Sequence, residues 1–110
     1  MTDKIVVLST CGSAEEAERI ARLLVETRLA ACVNILSGMR SIYRWQEGIE
    51  ASAEWLLLIK SRRDLFAQLR AVIEKNHSYE IPEIVALAIV DGAPGYLGWL
   101  ERELASEEGV

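Results

Sequence analysis

The stretch from Ala31 to Arg62 constrains this chain more than any other. Ala31–Leu36 reads as a strand, and Ser37-Gly38 as a bend or bulge. Ser41–Gln46 resumes the strand with Ile42, Tyr43 and Trp45, Glu47-Gly48 signals a turn, and Trp55–Lys60 reads as a further strand. Together they form one hairpin that is too long for a chain of 110 residues whose other strands are short. Its tip carries Tyr43, Trp45 and Ile49, which a monomer leaves in water. Long hairpins with apolar tips pair with another chain, so oligomerisation is expected.

The rest of the chain supplies the frame. Ile5–Ser9 is a continuous apolar run suited to a central strand, broken by Thr10-Cys11-Gly12. Ser13 and Glu16 form a capping box, and Ala17, Ile20, Ala21, Leu24 and Val25 recur at helical spacing, predicting a helix from Ala14 to Arg28. Ser61 and Asp64 suggest a second cap before Leu65, Leu69, Val72 and Ile73, and Asn76-His77-Ser78 ends that helix. Glu83–Val90 reads as the fourth strand, and Pro94 opens a short helix with Leu97, Leu100 and Leu104 on one face. The order is β-α-β-β-α-β plus a C-terminal helix: an α+β, ferredoxin-like split β-α-β sandwich with a long central hairpin, expected as a single domain over 1–110. In that topology the first and second strands run parallel with the third between them, and the fourth lies beside the first.

Charge and cysteine content exclude several classes. The balance of 12 basic and 17 acidic residues gives a net charge of −5, which repels a phosphate backbone on average and argues against nucleic-acid binding. No apolar run approaches the ~20 residues that span a bilayer. Two cysteines make no disulfide framework, and with no signal-peptide pattern at the start a cytoplasmic location is expected.

Topology decides which reactive side chains can meet. Cys11 ends the first strand and Cys32 begins the second, which places them at opposite poles, roughly 15–20 Å apart at ~3.3 Å per residue. The fourth strand starts where the first ends, bringing His77, Tyr79, Glu80 and Glu83 to the pole of Cys11. A thiolate, an imidazole and a carboxylate together suit a soft or borderline divalent ion, and a helix N-terminus after Cys11 is expected to acidify its thiol. The plainer alternatives are a packed core thiol for each cysteine and a helix cap for His77. Tyr43, Trp45 and Trp55 read as subunit-interface anchors. Arg44, Lys60, Glu54 and Glu80 could line a cleft between subunits or form a salt-bridge set. Glu101, Glu103, Glu107 and Glu108 read as a solvated face, and the tail from Ser106 as frayed. Catalysis is disfavoured: the helix-opening Thr10–Ser13 loop has no arginine to hold a phosphate, and no third group orients Cys11 and His77.

Four segments in register, Leu29–Ile35, Ser41–Gln46 with Leu57–Lys60, His77–Leu87, and Tyr96-Leu97 with Trp99, resemble the CutA divalent-cation-tolerance family over nearly the whole chain. The resemblance implies a non-catalytic homotrimer, similar to nitrogen-regulatory signalling trimers, linked to tolerance of divalent metals, copper foremost. It makes Cys11, Cys32, His77 and Glu80 candidate metal ligands, and Tyr43, Arg44, Trp45, Glu54, Lys60, Tyr79 and Glu83 candidates for an inter-subunit cleft. An alternative is a signalling or scaffold trimer that binds a small anionic ligand or a protein partner in those clefts. The chain departs from the family pattern in three places. Ser78 stands where proline usually follows the histidine, which is expected to loosen the loop; Ala88 replaces another proline; and the hairpin glycine, Gly48, comes one residue late.

Overall fold

The computed structural model describes residues 1–106; the predicted frayed end beyond Ser106, with Glu107 and Glu108, lies outside the described residues. The elements are β1 (Lys4–Cys11), α1 (Ala14–Glu26), β2 (Cys32–Trp45), β3 (Gly48–Arg62), α2 (Phe66–Asn76), β4 (Ile84–Ala88) and α3 (Pro94–Glu103). One sheet holds all four strands in the order β2-β3-β1-β4, with every neighbouring pair antiparallel.

Alternation along β1 and β3 sets the core. Ile5, Val7, Leu57 and Ile59 turn to the face covered by the helices and are buried against Ile20 and Leu24 of α1 and Leu69 and Ile73 of α2. The opposite face carries Val6 and Leu8 of β1, Leu56 and Leu58 of β3, and Val85 and Leu87 of β4, the last two 46% and 50% exposed. At one end of the sheet α3 is held by Leu100, which is fully buried, and by Glu101, which accepts from Lys4 at 2.9 Å and from Arg62 at 3.3 Å. Glu101 is therefore a structural anchor of two buried cations, not part of a purely solvated acidic face.

Several predicted boundaries shift for identifiable reasons. β1 continues through Thr10 and Cys11, because β3 offers Leu56 and Trp55 as partners beyond the predicted break. α1 stops at Glu26: Arg28 adopts φ 62°, and the N–H groups of Leu29 and Ala30 both donate to the carbonyl of Leu24. The Ser61–Asp64 cap does not form. Ser61 Oγ donates instead to the carbonyl of Leu29 at 2.7 Å, Asp64 accepts from Arg62, and α2 is entered through a short 3-10 turn over Arg63–Leu65. β4 is confined to Ile84–Ala88, shorter than the predicted Glu83–Val90.

β2 is continuous, with its irregularity between Leu36 and Met39, at the predicted bulge; Gly38 there takes φ 82°. β1 pairs with β3 only as far as Trp55, so Met39–Trp45 and Gly48–Glu54 pair with each other alone. This two-stranded arm stretches the molecule to 44 Å against 26 and 22 Å in the other directions. Ile42, Trp45 and Ile49 on it are 70%, 56% and 71% exposed. The arm closes with a two-residue turn in which Gln46 and Glu47 both take positive φ, 48° and 67°, while Gly48 lies just beyond, paired with Trp45. The turn thus places two side-chain-bearing residues where glycine or asparagine is favoured. Glu47→Gly should stabilise the fold by about 1 kcal/mol, since a left-handed residue with a Cβ costs roughly 1–2 kcal/mol and glycine's extra unfolded-state freedom returns part of that. Thermal unfolding of the two proteins checks this, and an unchanged or lower Tm would show that the turn is not strained.

Candidate functional site

Cys11, at the end of β1, lies on the helix-covered face and is fully buried. α1 begins three residues later, its first turn capped by Ser13 Oγ, which accepts from Glu16 N–H at 3.1 Å. Only this half of the predicted capping box forms. The Glu16 carboxylate turns away to accept from Ser78 N–H at 2.7 Å and from Ser78 Oγ at 3.1 Å. Glu16 falls on the same helical stripe as Ile20 and Leu24 and is itself buried, 7% exposed. His77 terminates α2; its Nε2 lies 2.7 Å from the carbonyl of Thr10, and its Nδ1 accepts from Tyr79 N–H at 3.0 Å. That pattern is neutral imidazole with Nε2–H donating. The ligand atoms of Cys11, Glu16 and His77 all lie within 4.8 Å of one another.

The next residue extends the site toward the hairpin arm. Tyr79 Oη donates to Glu54 Oε2 at 2.7 Å, and Glu54, at the base of the arm, is buried. The tyrosine hydroxyl sits against Gly12, where an added Cβ would come within 2.9 Å of it. Burial, with the Glu54 carboxylate beside it, pushes the Tyr79 phenol above its ordinary range. Burial, reinforced by the negative charge of Glu16, pushes the Cys11 thiol up to about 11. This reverses the predicted acidification: loss of hydration and the neighbouring carboxylate outweigh the helix N-terminus.

The remaining predicted residues scatter. Cys32 pairs with Lys60 on β3 whereas Cys11 pairs with Trp55, so the thiols are five strand positions apart on opposite sides of β3, about 16 Å along the strand. Glu80 is exposed and outside the cluster, and the Glu83 carbonyl accepts from Ser9 Oγ. Lys60 donates to Asn34 at the Cys32 pole, while Tyr43, Arg44 and Trp45 lie at the far end of the arm, opposite Glu50, Ile49 and Gly48. Tyr43 Oη is bonded to Ser52 Oγ. Within one protomer, then, Glu54 and Tyr79 meet, but Arg44 and Lys60 do not. Glu16 was hidden behind its capping role. The available signal was an acid at i, i+4 and i+8 with Ile20 and Leu24, on a stripe that should be apolar.

Fold and pole define a small α+β protein with a thiol–imidazole–carboxylate cluster, its thiol and carboxylate buried and its imidazole half-buried, beside an extended hairpin. The family model for the CutA1 divalent ion tolerance protein matches residues 5–103, and the chain belongs to that family. It is 50% identical over 97 residues to the divalent-cation tolerance protein CutA of Thermus thermophilus, covering 88% of this chain and 94% of that protein. A solved structure of the Thermus thermophilus protein superimposes with a TM-score of 0.91 at 47% identity, over 93% of this chain and 99% of that one. The crystal structure of CutA1 from Oryza sativa gives a TM-score of 0.93 at 38% identity, over 94% and 95% of the two chains. The chain is also 40% identical to the chloroplastic CutA of Arabidopsis thaliana, of which it spans 54%. A related structure from Archaeoglobus fulgidus is described as periplasmic, so relatives occupy different compartments. No helix among the described residues is long and apolar enough to cross a membrane.

The position of the Cys11 thiol makes a kinetic prediction. In a Cys32→Ser background, alkylation of native Cys11 by iodoacetamide at about pH 8 should be slower than in the unfolded chain by roughly two orders of magnitude, because burial shields the thiol and holds it protonated. Equal rates would show that the thiol is neither shielded nor raised.

Proposed function

We propose that this chain acts in divalent-cation tolerance as a non-catalytic, cytoplasmic homotrimer that binds copper or a similar divalent ion at the Cys11 pole. The observation that carries the metal reading is that Cys11 and His77, 66 positions apart in sequence, bring their ligand atoms within 4.8 Å. Sulfur and imidazole nitrogen together favour copper, zinc and cadmium over calcium or magnesium. The residues present fit such an ion: Cys11 would supply the thiolate, and His77 a ring nitrogen after giving up its bond to Thr10 or Tyr79. Cys32 lies at the other pole and would have to enter from a neighbouring subunit, and Glu80 is exposed outside the cluster. With so few ligands, affinity is modest.

The trimer is supported by what a monomer leaves uncovered. Val85 and Leu87 face outward from the sheet, and the arm carries Ile42, Trp45 and Ile49 into solvent on two strands that, isolated, are marginally stable. Partner strands and a partner sheet face would bury both. The alternative, a scaffold trimer taking a small anion in its clefts, is disfavoured at this pole by the buried acids Glu16 and Glu54.

Calorimetric titration of copper, zinc and cadmium into reduced protein tests the metal reading. We expect about one site per chain with roughly micromolar affinity, lost in Cys11→Ser and His77→Ala and kept in Cys32→Ser. Absence of saturable binding would sink it. Light scattering tests the assembly separately. Three chain masses are expected for the wild type and dissociation for the double substitution of Trp45→Ser with Ile49→Asp; a monomeric wild type would refute the trimer.

A further inference from the structure

Glu16 poses a problem that its capping role does not solve. Its carboxylate is buried, yet among the described residues the hydrogen-bond donors that reach it are two neutral groups of Ser78. The nearest guanidinium, Arg19, stands 3.8 Å away on an exposed side chain, beyond hydrogen-bond reach. A buried carboxylate without a bonded cation is costly, and its oxygens keep lone pairs that two donors do not fill. One of those oxygens lies within 4.8 Å of Cys11 Sγ and of a His77 ring nitrogen.

We propose that Glu16 is the third ligand of the divalent-cation site and that Ser78 is the residue that positions it. The inference rests on the reading that the Cys11 pole binds metal. Charge supports it. On binding, the Cys11 thiol releases its proton to solvent and forms the sulfur–metal bond, His77 binds as neutral imidazole, and Glu16 binds as carboxylate. One thiolate and one carboxylate balance a 2+ ion, so the buried site closes electrically neutral; without Glu16 it would carry one uncompensated positive charge. Ser78 acts as outer partners of metal-bound carboxylates do. Its backbone N–H and hydroxyl fix both oxygens before the ion arrives, and removing such partners typically costs about 10–100-fold in affinity.

The test is a zinc titration of the full chain, with wild type, Cys11→Ser, Glu16→Gln, Ser78→Ala and Ser78→Pro side by side. Ser78→Ala deletes the hydroxyl donor and Ser78→Pro deletes both. Glu16→Gln should weaken zinc by at least about tenfold, Ser78→Ala by less, and Ser78→Pro by about 10–100-fold. Thermal unfolding of each apo protein identifies a variant that has lost its fold, and Ser78→Ala then carries the test. Cobalt provides a spectroscopic readout that a merely structural role would not move. The sulfur-to-cobalt charge-transfer band should persist in Glu16→Gln and the Ser78 variants, showing the thiolate still bound, while the ligand-field bands change with the lost oxygen. Zinc binding lost in Cys11→Ser but unchanged in Glu16→Gln would overturn the proposal and leave the metal reading standing. Wild-type affinity in Ser78→Ala and Ser78→Pro would remove the positioning role. Absence of zinc and cobalt binding by the wild type would overturn both readings together.

Discussion

β1 is hydrogen-bonded on both sides, and its register governs the Cys11 pole. Cys11 lies opposite Trp55 on one neighbour, while Ser9 lies opposite Ile84 on the other. Because β4 begins where β1 ends, the segment from His77 to Glu83 must pass across the end of β1 before it can pair. His77 therefore reaches the carbonyl of Thr10, Ser78 reaches Glu16, Tyr79 reaches Glu54, and the Glu83 carbonyl receives Ser9 Oγ. Consecutive residues of one loop thus tie together β1, α1 and β3. A one-residue slip of β1 would turn Cys11 to the opposite face and dissolve the cluster.

The hairpin obeys a different constraint. From Leu56 to Lys60 β3 has a strand on each side and a helix layer over one face. Beyond Glu54 it has β2 alone. Apolar residues continue into this arm although nothing among the described residues covers Ile42, Trp45 or Ile49. Their exposure is the observation on which the proposed trimer rests, and Val85 and Leu87 add exposed apolar surface on the open face of the sheet.

Much of this was legible in the sequence. Periodicity in Ile20 and Leu24, the Ser13 cap, the Ser37-Gly38 irregularity and the Pro94 helix start are local signals, and the structure follows them. Strand pairing also followed from element order, which is why Cys11 and His77 could be placed together and Cys32 apart. The failures were tertiary. Ser61 resembles a helix cap, but a buried carbonyl on Leu29 claims its hydroxyl. Glu101 resembles a surface acid, but Lys4 and Arg62 lie beneath it. Cys11 precedes a helix N-terminus, but full burial beside Glu16 reverses the effect on its thiol. For Ser61 and Glu101 a partner distant in sequence outcompeted the local rule, and for Cys11 burial in the packed core did.

Ser78 shows the same competition from the other side. Substituting serine for a proline should loosen a loop, because the backbone gains freedom around φ. Here the substitution restores a backbone N–H and adds a hydroxyl, and both are spent on one carboxylate. Flanked by His77 anchored on Thr10 and Tyr79 anchored on Glu54, the serine sits in a segment fixed at three successive residues. The rigidity that a ring would impose locally is supplied instead by long-range hydrogen bonds. It depends on the Glu16 carboxylate staying in place, so the loop and the buried acid hold each other.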